Sequence, residues 1–178
     1  MMPKNLDENY KKNNFNLKRE SLVFSFIKKI KMTTLHNDII INAAIEKIWE
    51  ALVVVDVLDT YDPTIKKSTA ISNIKSGIGA KRKVDMLDGK NWFKEECISF
   101  DPHKDLEYKL YACSFPVHSL VHNYKFHKEG NTIRVEQLMK YKMKFGLFGI
   151  FMGLMLKPKW NKGINKFLGG LKQYVECD

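Results

Sequence analysis

The stretch Lys81-Arg82-Lys83-Val84-Asp85-Met86-Leu87-Asp88-Gly89-Lys90-Asn91-Trp92-Phe93-Lys94-Glu95-Glu96-Cys97 reads as two strands joined by a tight turn. Asp-Gly is a strong signal for a two-residue turn, because such turns need positive φ, which glycine adopts without steric penalty. Centring the turn on Asp88-Gly89 pairs Leu87 with Lys90, Met86 with Asn91, Val84 with Phe93 and Arg82 with Glu95. Successive side chains alternate between the faces of a strand. The last three pairs therefore share one face, with Cys97 beyond them, while Lys81, Lys83, Asp85, Lys90, Lys94 and Glu96 take the other. Trp92, Ile98 and Phe100 interrupt this charged face. A charged outside and an apolar inside carrying one opposed Arg82–Glu95 pair describe a sheet that covers a core on one side.

The same parity extends outward along the chain. Val117–His127 and Thr132–Lys144 form a second hairpin through Glu129-Gly130-Asn131, with either Glu-Gly or Gly-Asn at the tip. Both choices put His118, Leu120, His122, Tyr124 and Phe126 on one face with Ile133, Val135, Gln137, Met139, Tyr141 and Met143. Between the hairpins, after an Asp101-Pro102 turn, Leu106, Tyr108, Leu110 and Ala112 alternate with Glu107, Lys109 and Tyr111 as another half-buried strand.

Before the sheet, an apolar strand at Asp38–Ile41 leads to Asn42, a residue type that caps helices. Ile45, Ile48, Trp49, Leu52 and Val53 then form one apolar helical stripe, and Asp56–Asp62 a second short helical turn closed by Pro63. After the sheet, Gly146–Leu156 is almost wholly apolar and Lys157-Pro158 breaks it. From Pro158, which suits a first helical position, Trp160, Ile164, Phe167, Leu168, Leu171 and Val175 mark the buried stripe of a long terminal helix. Gly163, Gly169 and Gly170 each disfavour that helix by roughly 1 kcal/mol relative to Ala, and either allow a close backbone approach or are simply tolerated. The segment 145–156 is expected to be a mobile gate or a membrane-touching element, or else to close the core or form a dimer contact.

With 178 residues the chain is long enough for one domain with its own core. Cys97, Cys113 and Cys177 form no C-x-x-C pair, no apolar run spans a bilayer, and Leu22–Ile27 is too short for a usual signal peptide. These features point to a reduced, cytoplasmic, soluble protein. Of the formal net charge of +10, residues 1–31 hold eight basic residues against three acidic ones. That Asn- and Lys-rich stretch reads as a disordered extension dispensable for folding, with Leu22–Ile30 as a possible basic amphipathic toe-hold. The domain is expected to occupy residues 32–178. No recognition helix, zinc module or aromatic-basic platform accompanies the charge, so nucleic acid is not the expected partner.

Several local runs resemble the START and polyketide cyclase/dehydrase superfamily, also called SRPBCC. Ile41-Asn42-Ala43-Ala44-Ile45-Glu46-Lys47-Ile48-Trp49 resembles its opening strand and helix, and Tyr61-Asp62-Pro63 its helix-to-strand exit. Gly77-Ile78-Gly79-Ala80-Lys81-Arg82 is similar to its lead into the third strand, and Glu95–Asp101 to the strand and turn that follow. The resemblance covers residues 35–176. It implies an α+β helix-grip fold: a curved antiparallel sheet wrapped around a long C-terminal helix, two short helices after the first strand, and a cavity between sheet and helix.

The side chains of the inner parity include Arg82, Glu95, Tyr108, His118, His122, Tyr124, Gln137 and Tyr141, more polar groups than a packed core holds without partners. With Val84, Phe93, Met139 and Met143 they are the expected lining of an apolar cavity with a few directed polar groups. The expected activity is binding or carriage of a hydrophobic small molecule, such as a lipid, quinone or polyketide-like compound, with possible peripheral membrane contact. The alternative is a cyclase/dehydrase-type enzyme, in which Arg82 polarises a carbonyl and His118 or His122 moves a proton. A protein-interaction module is the third reading.

No cofactor motif is present, and no metal is expected, since strand residues at i and i+4, as in His118 and His122, lie ~13 Å apart, too far to share one ion. Cys97 reads as a small packed residue, and Gly77/Gly79 as a strand turn, because no helix follows to complete a nucleotide loop.

Overall fold

Every strand expected from the alternation is present, and all of them join one sheet. The computed structural model describes residues 32–177, so the expectations for 1–31, including the Leu22–Ile30 toe-hold, lie outside the described residues. Strand β1 (Thr33–Ile41) is followed by helix α1 (Ile45–Val53), a single 3-10 turn at Leu58–Thr60, and strands β2 (Ile65–Ala70), β3 (Lys81–Met86), β4 (Trp92–Asp101), β5 (Asp105–Cys113), β6 (Val117–Glu129) and β7 (Thr132–Met143). Helix α2 (Gly146–Glu176) ends the chain. The seven strands run antiparallel in the order β1-β7-β6-β5-β4-β3-β2.

Both hairpin registers agree with the residue pattern. Arg82 pairs with Glu95 and Val84 with Phe93, and in the second hairpin Tyr124 pairs with Gln137 and Glu129 with Thr132, which puts Gly130-Asn131 at the tip. The first turn is looser than a two-residue loop. Only Gly89 has positive φ (70°), its N–H bonds the Met86 carbonyl, and the Asp88 carboxylate accepts the N–H groups of Lys90 and Asn91. The register survives because the Met86–Asn91 bond closes it at 2.8 Å.

The core lies between the inner face of the sheet and the two helices. Trp49 of α1 meets Phe100 and Phe126 edge-on at 5.1 and 5.4 Å, and Phe167 of α2 packs on Tyr61 and Tyr124 at 5.9 and 6.1 Å. The buried side of α2 comprises Ile164, Phe167, Leu168, Leu171 and Val175, as its stripe predicts.

Four local expectations are corrected. His118 is exposed, not inner, because a β-bulge between Val117 and Ser119 pairs Val117 with Met143 and reverses the parity on the N-terminal side of Ser119. A second bulge, between Cys97 and Ser99, leaves Ile98 outside but turns Phe100 inward onto Trp49. Asn42 does not cap α1; Ala44 holds that position without a side-chain bond, and the Asn42 N–H instead donates to Glu176 Oε1 at 2.6 Å.

Lastly, Pro158 does not break the terminal helix, which runs unbroken from Gly146 to Glu176. The carbonyl that loses its partner to a proline belongs to the residue four earlier. Here that is Leu154, which is exposed, so water can take the bond. Gly149 and Gly153 of this helix are buried contacts: a Cβ on Gly149 would stand 1.9 Å from the Lys144 carbonyl oxygen, and one on Gly153 3.1 Å from Met143.

Candidate functional site

Between the sheet and α2 lies a cavity of about 500 Å³, inside the range of small-molecule sites. Its walls are mostly apolar, with Leu58 and Ile65 at one side, Phe93 and Leu110 on the sheet, and Trp160 and Phe167 on the helix. It reaches the surface where the exposed Asp88 of the β3–β4 turn faces the exposed Lys159 of α2. Lys159 is close enough to help hold the Asp88 carboxyl below the usual carboxylate range, after the hydrogen bonds that Asn91 and Lys90 donate to it.

Along one wall runs a connected series of polar side chains drawn from β3 to β7, with Tyr108 of β5 behind it. Arg82 is buried, and its Nε and Nη2 both lie 2.6 Å from Glu95 Oε1. Its guanidinium sits 4.6 Å over the Tyr108 ring, whose hydroxyl donates to the Leu52 carbonyl at 3.1 Å. His122 Nε2 is 3.0 Å from Glu95 Oε2, an ion-pair distance at which the ring is not aligned for a hydrogen bond. The imidazole stacks on Tyr124 at 6.5 Å, and Gln137 Nε2 donates to the Tyr124 hydroxyl at 3.2 Å. Among the described residues, Arg82 Nη1, Glu95 Oε2, His122 Nδ1 and Gln137 Oε1 are buried with no hydrogen-bond partner. Buried polar atoms are seldom left so.

The charges of this wall are mutually dependent. Burial alone would raise the Glu95 carboxyl, but Arg82 and then His122 outweigh it and hold it well below the usual carboxylate range. Burial likewise opposes the charge on Arg82, and Glu95 more than restores it. Tyr108 and Tyr124 are pushed up by burial and stay neutral hydroxyls. Asp62, a further carboxyl on the cavity wall, is raised by burial, which the two hydrogen bonds from Thr64 only partly offset. Burial also pushes the Cys97 thiol up to about 11, the state of a packed thiol rather than a nucleophile.

A pH dependence follows from Glu95. Because its folded pKa is depressed, the stability it contributes is present above the unfolded value of about 4.3 and lost as pH falls toward the folded one. Below about pH 4, the unfolding free energy of the native chain should fall more steeply than that of an Arg82→Met/Glu95→Leu variant, by up to about 1.4 kcal/mol per pH unit. Denaturant titrations at a series of pH values read this slope, and equal slopes would mean that Glu95 is not held ionised.

Seven of the twelve residues proposed from the sequence line the cavity: Arg82, Phe93, Glu95, His122, Tyr124, Gln137 and Met139. Five do not. His118 is exposed through the β6 bulge, and Val84 is fully buried outside the lining. Tyr108 supports Arg82 from beneath, and Tyr141 donates to the Gly153 carbonyl at 2.8 Å and packs on Trp160 at 4.4 Å. Met143 packs against the two buried glycines of α2. Sequence reasoning missed Asp62, Trp160, Ile164 and Phe167 as cavity residues. The last three were legible as the buried stripe of the terminal helix, but only the tertiary structure shows that part of that stripe faces open space.

A sheet that grips a long terminal helix around an apolar cavity with a polar wall defines the helix-grip class of ligand-binding domain. The chain belongs to the polyketide cyclase / dehydrase and lipid transport family, whose sequence model matches residues 32–176. No curated protein matches it. Among solved structures, it is similar to a protein from Thermus thermophilus (TM-score 0.69, 16% identity, covering 82% of this chain and 98% of that one). It is also similar to a START superfamily protein from Mycobacterium smegmatis (0.65, 13%, 80% and 97%) and to the ginseng major latex-like protein 151 from Panax ginseng (0.65, 13%, 82% and 98%). At these identities the likeness is one of fold. Among the described residues no helix is long and apolar enough to cross a membrane.

Proposed function

We propose that this protein binds and carries a hydrophobic small molecule that has an oxygen-bearing end, such as a quinone, a lipid or a polyketide-like compound. The observation that carries this reading is the set of unpartnered buried atoms on one wall of an otherwise apolar cavity. Arg82 Nη1 is a donor suited to a carbonyl or phenolic oxygen, and Gln137 Oε1 is an acceptor suited to a hydroxyl. Leaving such groups unmet costs about 1–3 kcal/mol each, so a ligand that meets them gains both affinity and orientation. A second reading, a cyclase/dehydrase-type enzyme, draws on the imidazole of His122 beside the Glu95 carboxylate on the cavity wall. Binding is preferred because Arg82 is already committed to Glu95 through two of its nitrogens.

Native mass spectrometry of the freshly purified full chain tests the proposal. An apolar small molecule should be retained under gentle conditions and released on denaturation. Gly163 lines the cavity, and a Cβ there would meet nothing within 4 Å, so Gly163→Phe should fill the space and cut retention roughly tenfold. Absence of any retained or added apolar ligand would overturn the binder. Turnover of an added poly-β-ketone that is lost in His122→Gln would move the assignment to the enzyme.

A further inference from the structure

The first half of α2 presents an apolar surface that nothing among the described residues covers. Leu147, Phe148, Phe151, Leu154 and Met155 are 57–67% exposed. At 100° per residue they fall within an arc of roughly 120° and extend ~12 Å along the axis, opposite the side on which Gly149 and Gly153 are buried. After Pro158 the same outward direction is taken by Lys162 and Lys166, with Lys159 at its margin, and all three are exposed. The helix face thus changes along its length from large apolar side chains to lysine.

The charge carried by this part of the chain is of one sign. From Gln137 to Val175 the sequence holds Lys140, Lys142, Lys144, Lys157, Lys159, Lys162, Lys166 and Lys172, and no Asp or Glu. A protein partner fitted to the apolar stripe alone would not require this. An anionic bilayer surface does, because it offers a depth of hydrocarbon for the Phe and Leu side chains and phosphate or carboxylate headgroups for the lysines beside them.

We propose that the first half of α2 docks on an anionic lipid surface, with Phe148 and Phe151 inserted below the headgroups and Lys162 and Lys166 held among them. The glycine contacts fit this role. They seat the helix firmly on β7, so that the apolar side chains are presented from a fixed base rather than a loose segment. Leu156 and Lys159 line the cavity and adjoin the docking face. On the binding function proposed above, docking would bring the mouth of the cavity to the bilayer, but the docking itself does not depend on that function.

The test is co-sedimentation of the full chain with vesicles of phosphatidylcholine alone and of phosphatidylcholine with phosphatidylserine, read beside its mass in solution by ultracentrifugation. The protein should prefer the anionic vesicles and lose them as salt is raised. Phe148→Asp/Phe151→Asp should abolish binding while leaving the melting midpoint unchanged, since both side chains lie on the surface. Lys162→Gln/Lys166→Gln should weaken it roughly 30-fold. Undiminished binding by the Phe148→Asp/Phe151→Asp variant would place the contact elsewhere, in the basic residues 1–31 for example, and overturn the proposal. A native chain that ignores vesicles would overturn it too, as would a dimer that this variant splits. None of these readouts needs the cavity's ligand, so failure here leaves the binding function standing.

Discussion

Arg82→Met should lower the unfolding free energy by about 3–5 kcal/mol, and Glu95→Leu by a similar amount, because each strands its partner as an uncompensated buried charge. The expectation rests on burial and geometry together. Arg82 is 4% exposed and Glu95 1% exposed, and two guanidinium nitrogens meet one carboxylate oxygen at 2.6 Å. The double variant Arg82→Met/Glu95→Leu should recover most of the loss, since replacing a buried pair with apolar groups of similar volume is often neutral or stabilising. Urea titrations of the four proteins give the coupling directly. A coupling near zero would mean that the pair does not hold the charges as the structure places them.

Gly170→Ala should destabilise the fold by about 1–3 kcal/mol, although alanine favours a helix interior by about 1 kcal/mol over glycine. A Cβ on Gly170 would stand 1.9 Å from the Tyr61 carbonyl oxygen and 3.1 Å from its carbon, and both are backbone atoms that cannot rotate aside. Tyr61 itself is buried, with its hydroxyl donated to the Ala51 carbonyl at 2.9 Å, so the loop that carries it is tied to α1. The neighbouring Gly169 is exposed, and a Cβ there would meet nothing within 4 Å, so Gly169→Ala should stabilise by up to ~1 kcal/mol. Opposite signs at adjacent glycines, measured by denaturant unfolding, would confirm that α2 is held against the Tyr61 loop by backbone contact. Stabilisation by both substitutions would show that the contact is looser than drawn.

These two expectations mark what was legible in the residues and what was not. The pairing of Arg82 with Glu95 followed from the Asp88-Gly89 turn and the period of two, because a hairpin with a short loop leaves one register that puts lysines outside. The inner positions of Glu95, His122, Tyr124, Gln137 and Met139 followed in the same way, since between bulges parity carries along a strand without error. The buried stripe of the terminal helix was equally plain, because five apolar residues at helical spacing share one side whatever they face.

By itself, then, the sequence determined six of the seven strands, the two hairpin registers, the inner face and most of the polar side chains it carries. Only the tertiary structure decided where that parity breaks, which side of Gly170 meets backbone, and whether Pro158 ends a helix. His118 lost its inner place to one extra residue in β6, a bulge at the open end of the hairpin, where the pairing steps from Ser119–Lys142 to Val117–Met143. Gly169 and Gly170 are identical as residues and differ only in what a distant loop brings beside them. Pro158 stayed inside the helix because the carbonyl it deprives belongs to an exposed residue, and because the glycine seats on β7 hold the preceding turns in line with the rest. Local patterning sets what each residue prefers, whereas non-local contact decides which preference is met.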